Sequence, residues 1–293
     1  MAASEGAAPT FPVERSGSGP PALLLHGGPG LSDYRYMADL AALLGDRVEA
    51  IRYTQRGLSP APLDGPFTID RHVADAIAVL DQEGIERALV IGHSWGGHLA
   101  AWLAATHPDR VAAVVSIDGL GMVDDGGWPA FDRHFQESMT EEELAASAAL
   151  DARVEAGELD PDDAGLEGLA IIWRYYFADP PTAPAMPPLR LRAVVYAEGE
   201  LDIKARLESG EAERAITGLA MPALFMRGSE SGFPRSAAED TACRFRAGRY
   251  VEIDGAGHFL WVERPAETLA AIGAFLDECE AAGVLPGPST AGA

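Results

Sequence analysis

Short apolar runs alternate along this chain with stretches whose apolar residues recur at helical spacing, and that alternation restricts the fold more than any other feature. The runs fall at 22–25, 48–53, 88–91, 111–117, 223–226 and 250–253. Most of them lack the polar alternate residues of a half-exposed strand, so they read as strands buried on both faces. Between them, 34–44, 70–82, 237–245 and 265–280 carry helical periodicity, with Val73, Ala76, Ile77 and Leu80 on one face of the second. Strand and helix in regular succession predict a mostly parallel twisted sheet with helices on both sides. Residues 11–15 read as a short edge strand ahead of it.

The alternation lapses between 121 and 218. This segment is helical in flavour: Thr140 followed by Glu141, Glu142 and Glu143 predicts a capped helix start, and prolines at 180–188 break the pattern. It also carries aromatic residues, among them Trp128, Phe131, Phe135, Trp173, Tyr176 and Tyr196. The predicted organisation is a core from 10–120 and 219–282, a helical insertion over 121–218, and flexible termini at 1–9 and 284–293. The 293 residues are enough for one core with one such insertion.

The net charge of −23 argues against nucleic acid or an anionic membrane surface as a partner, because both require a basic face. Residues 121–220 hold 21 Asp and Glu against 8 Lys and Arg, so more than half of the excess lies there, chiefly as a solvated surface. Cys243 and Cys279 form no metal-binding or redox spacing and are expected as buried free thiols. No secretory leader pattern precedes residue 20 and no long apolar span occurs, so a cytoplasmic protein is expected. There is no P-loop, no dinucleotide fingerprint and no metal-binding histidine pair, hence no expected cofactor or metal. Nothing in the pattern specifies an oligomeric state.

Chemistry is concentrated where the apolar run at 88–91 meets Gly92-His93-Ser94-Trp95-Gly96-Gly97 and a helix-forming segment follows at once. A strand turning so sharply into a helix holds its serine in a strained conformation, and Gly92 and Gly96 leave room for the two elements to approach. Ser94 then stands at the positive end of the new helix. Upstream, the strand at 22–25 runs into His26-Gly27-Gly28-Pro29-Gly30, and the strand at 48–53 into Thr54-Gln55-Arg56-Gly57. Asp118 closes the run at 111–117, and His258 lies in Gly255-Ala256-Gly257-His258-Phe259 after the last strand. Functional groups in a parallel sheet collect at these carboxyl ends.

Together these segments resemble the α/β-hydrolase superfamily, and within it the proline iminopeptidase-like branch. The resemblance implies an α/β-hydrolase fold with a helical cap inserted after the sixth strand, and Ser94 as the nucleophile of a serine hydrolase. His258 matches the position of the superfamily's general base, while the backbone N–H groups of Gly28 and Trp95 would form the oxyanion hole. Two positions depart from the branch. Thr54 replaces its usual aspartate, and the Gly-x-x-Asp turn that supplies the acid reads Gly228-Ser229-Glu230-Ser231. Asp118 is the expected replacement for that acid and Glu230 the alternative. Trp173 and Tyr176 are candidates for lining a substrate pocket, whereas His93 is expected to point away from the elbow tip and Arg56 to tie loops together.

The reaction expected is cleavage of an ester, lactone, thioester or amide of a small molecule through an acyl-enzyme. An aminopeptidase acting on short peptides is the alternative, with Glu137, Glu198 or Glu200 gripping the substrate ammonium. A hydrolase-like scaffold that binds a ligand or runs a non-hydrolytic step is the reading from another class.

Overall fold

Pro21–Leu25, the strand β2, shows how the sheet is built: Ala22 and Leu24 enter one apolar cluster while Leu23 and Leu25 enter another. Successive side chains leave a strand on opposite faces, so a run apolar at every position can sit only between two covering layers. The computed structural model describes residues 9–32 and 34–287. Its other strands are β1 (Val13–Gly17), β3 (Glu49–Tyr53), β4 (Ala88–His93), β5 (Val111–Ile117), β6 (Pro222–Gly228) and β7 (Ala247–Ile253), in the order β1-β3-β2-β4-β5-β6-β7. All pairings are parallel except β1 with β3.

Helix α1 (Ala38–Leu44) links β2 to β3, α2 (Ile69–Gln82) links β3 to β4, and α3 (Trp95–Thr106) links β4 to β5. Between β5 and β6 the chain forms α4 (Trp128–Ser138), α5 (Glu141–Glu155), α6 (Pro161–Ile172), α7 (Ala193–Glu208) and α8 (Glu211–Ile216), with no strand among the described residues. In the chain's own order this segment follows the fifth strand rather than a sixth. Thr140 caps α5, which opens where the sequence predicts, and Glu143 returns the bond to the Thr140 N–H. Helix α9 (Arg235–Arg244) precedes β7, and α10 (Leu260–Glu263) and α11 (Pro265–Ala281) close the fold.

Several boundaries differ from expectation for local reasons. β7 begins three residues before the predicted start because its exposed half is an edge, where polar residues are tolerated and no apolar run marks the strand. Cys279 is buried as expected, and burial pushes its thiol up to about 11, but Cys243 is exposed. The buried residues of α9 are Ala237, Ala238, Thr241 and Ala242, and Cys243 falls just past that face. Of the two expected flexible termini, 1–8 and 288–293 lie outside the described residues. Val284 and Leu285 pack against the core.

Arg56 is wholly buried and ties three segments together. Its guanidinium donates to both Asp75 carboxylate oxygens, at 2.6 and 2.8 Å, and to the Asp64 carbonyl at 2.7 Å. A two-pronged pair of this kind sets the position of the loop after β3 against α2. Asp75→Ala removes the buried partner, leaves the cation only the exposed Asp64 carboxylate at 3.3 Å, and is expected to cost about 3–5 kcal/mol in urea unfolding. A loss under 1 kcal/mol would contradict this account.

Candidate active site

The turn from β4 into α3 has no space for larger residues. A methyl group on Gly92 would lie 1.9 Å from the Gly96 carbonyl oxygen, and one on Gly96 would lie 2.1 Å from that of Leu25. Ser94 between them has φ of +56°, a left-handed value that a non-glycine residue holds only when its surroundings impose it.

His258, in the loop after β7, is buried. Its backbone N–H donates to the Tyr176 carbonyl at 2.7 Å, and its Nδ1 stands 2.5 Å from Asp118 Oδ2. A carboxylate accepts, so the proton between the two sits on Nδ1, and Nε2 is the ring nitrogen turned away from Asp118. Asp118 follows β5 with φ of +44° and donates its N–H to the Met226 carbonyl at 2.8 Å. Its Oδ1 accepts from the Gly228 N–H at 3.1 Å and its Oδ2 from the Ser231 hydroxyl at 2.6 Å. Ser231, at the place where the resemblance puts an acid, therefore supports the acid at 118 instead. Glu230 is exposed and accepts from the Ser229 hydroxyl.

Ser94 and His258 line one cavity with Gly28 and Trp95. No hydrogen bond joins Ser94 Oγ to the His258 ring among the described residues. Such contacts commonly tighten only when substrate is bound. Gly28 has φ of +58°, and a methyl group there would lie 2.5 Å from Leu31 Cβ. The loop carrying Gly28 is fixed through Gln55, which accepts from the Trp95 indole at 2.9 Å and donates to the His26 carbonyl at 3.0 Å. Trp95 and His26 thus share one amide as a spacer.

His93 lies beneath the elbow and has a positive structural task. Its Nε2 donates to the His258 carbonyl at 2.9 Å, so its Nδ1 accepts from the Tyr36 hydroxyl at 2.6 Å. Sequence reasoning missed this tie: His93 is the variable letter of the G-x-S-x-G motif, and Tyr36 sits in a 3-10 turn (Tyr34–Met37) with no motif of its own. His98, also buried, bonds the Gly121 carbonyl and the Trp102 indole instead.

The rest of the cavity wall is largely apolar, from Leu120, Phe131, Phe135, Leu169, Ile172 and Phe233, and includes both expected residues, Trp173 and Tyr176. The three carboxylates considered for gripping an ammonium do not reach it. Glu198 accepts from the Phe67 N–H, Glu200 pairs with Lys204, and Glu137 is exposed. Asp132 on α4, an exposed residue, lines the cavity in their place, its proton affinity raised by partial desolvation and by nearby Glu200. Among the described residues no group of three or more His, Cys, Asp or Glu is placed to hold a metal ion, and no helix is long and apolar enough to cross a membrane.

Residues 20–265 match the family described as alpha/beta hydrolase fold, and the chain belongs to that family. It is an enzyme of the α/β-hydrolase superfamily. Epoxide hydrolase B of Mycobacterium tuberculosis is 37% identical over 122 residues, covering 39% of this chain and only 34% of that protein. Epoxide hydrolase A of the same organism is 29% identical over 310 residues, covering 92% of this chain and 94% of that protein. The structure of proline iminopeptidase from Mycobacterium smegmatis superposes with a TM-score of 0.65 at 21% identity, over 94% of this chain and 97% of the other.

Three buried histidines make stability depend on pH. Burial lowers His72 to about 3 and His98 to about 4, and holds His93 well below the ordinary range. The unfolded chain takes up protons below its histidine pKa of about 6.5 while the fold cannot, so stability falls as pH drops through that value. Between pH 7.5 and 5 the expected loss is about 2 kcal/mol per histidine, read as a lower urea midpoint. An unchanged midpoint would contradict the assignment of neutral rings.

Proposed function

We propose that this enzyme is a serine hydrolase that cleaves an ester, lactone, thioester or amide of a small molecule through an acyl-enzyme. The observation carrying this reading is the 2.5 Å contact from Asp118 to Nδ1 of His258, a residue that lines the same cavity as Ser94 on its strained turn. A free hydroxyl is a poor nucleophile. His258 Nε2 would take its proton as Ser94 attacks the carbonyl, then return it to the leaving group. Asp118 would hold the ring tautomer and stabilise the imidazolium. The backbone N–H groups of Gly28 and Trp95 would receive the oxyanion, and water activated by His258 would release the acid. The helices between β5 and β6 act as a cap, since α4, α6 and α7 all contribute to the cavity wall.

The serine also separates this chain from the named activity of its epoxide-hydrolysing relatives. A hydroxyl that opens an epoxide forms an ether, which offers no carbonyl for a second attack, so Ser94 would be consumed in one event. A carbonyl substrate gives an acyl ester that water can clear. Asp132 favours a second reading within the same mechanism, an aminopeptidase whose substrate presents an ammonium to that carboxylate.

Labelling with a fluorophosphonate is expected at Ser94 and absent in Ser94→Ala, and failure of the wild type to label would overturn the proposal. With p-nitrophenyl acetate, Asp118→Ala should lower kcat by about 10⁴-fold and Ser231→Ala by about tenfold, with Glu230→Ala nearly silent. Turnover of L-proline p-nitroanilide comparable to that of the ester would select the aminopeptidase reading.

A further inference from the structure

A second cavity lies against the first. Its volume is about 370 Å³, against about 150 Å³ for the cavity that holds Ser94. Tyr36, Trp173, Leu189 and Phe259 line both, so these four side chains form the partition between them. The smaller cavity is on the scale that admits a benzene-sized group. An arm too long for it has the second cavity beyond the partition to enter.

Three of the four side chains are pinned. The Tyr36 hydroxyl is bonded to His93, and the Trp173 indole donates to the Pro184 carbonyl at 2.8 Å. Phe259 is buried and packs on Tyr36, Trp173 and Phe177, with ring centroids 5.2 to 5.6 Å apart. Leu189 has no such anchor. It belongs to the stretch between the 3-10 turn Pro180–Thr182 and α7, where residues 185–191 form no backbone–backbone hydrogen bond among the described residues. Segments without such bonds open at the least free-energy cost.

Beyond the partition the walls are Phe177, Pro184, Pro187 and Trp261. The charged residues there, Arg35, Arg190 and Asp39, are of both signs, so the chamber selects by apolar surface and shape rather than by charge.

We infer that this chamber is a binding site for an apolar arm of the substrate, a hydrocarbon chain or a ring, and that Leu189 is the side chain that yields to admit it. The inference rests on the serine hydrolase reading for its link to turnover but not for binding. Two measurements separate them. Octanoate titrated into the Ser94→Ala protein by calorimetry is expected to bind, and Ala185→Trp, which fills the chamber from its own wall, is expected to weaken that binding about tenfold, the burial of roughly two methylenes. Absence of octanoate binding, or binding that Ala185→Trp leaves intact, overturns the chamber whether or not the protein hydrolyses esters.

In the wild-type background the ratio of kcat/KM for p-nitrophenyl octanoate to that for the acetate is expected to fall about tenfold in Ala185→Trp and to rise in Leu189→Ala. A ratio unchanged in both variants would remove Leu189 as the gate. Lack of turnover of both esters by the wild type would count against the serine hydrolase reading alone. A parallel series of acetate esters with lengthened alcohols distinguishes an arm on the leaving group from one on the acyl group.

Discussion

The carboxylate of Asp118 is the point at which the separate segments of the site meet. A buried negative charge is tolerable only when hydrogen bonds replace the water it has lost, and here they come from the end of β6, from the turn carrying Ser231 and from the loop after β7. None of these donors is close in sequence to Asp118, so satisfying the charge and assembling the site are the same event. The sheet makes this possible because β5 lies between β4, which runs into the serine, and β6, which ends at one donor and leads into the turn that holds another.

Much of the fold was legible in the sequence because parallel strands buried on both faces leave an unmistakable pattern. All six runs of apolar residues became strands, and the lapse at 121–218 became five helices. What escaped was set at edges and by tertiary contact. The polar half of β7 gave no signal, and α10 is a four-residue element separated from α11 by Arg264 alone.

At the site, the glycines of the elbow were legible because their role is steric and local. The sequence also showed that the usual acid position was empty and offered Asp118 and Glu230 as substitutes. It could not show that Ser231 donates to Asp118, because a serine bonded to a distant carboxylate has no spacing to betray it. Tyr36 was silent for the same reason, since it acts through a hydrogen bond across 57 residues, and Gln55 stood out only as a letter of its motif, its bonds to Trp95 and His26 reaching across 40 and 29 residues. Arg56 was expected to tie loops together, and its bonds to Asp75 and Asp64 join the loop after β3 to α2 and to the segment before it.

The chain of contacts from Tyr36 through His93 to the His258 carbonyl joins the segment after β2, the end of β4 and the loop after β7, and every member of it is uncharged. Dissolved ions weaken attractions between exposed charges by gathering around them, and they have no such purchase on a phenol, a neutral ring and an amide oxygen. The exterior of so acidic a molecule will respond to brine, through its repulsions and its surface ion pairs. The seating of the imidazole beside the serine is insulated from that response, so the protein can change its outer electrostatics with the ionic surroundings while the inner alignment stays as it was.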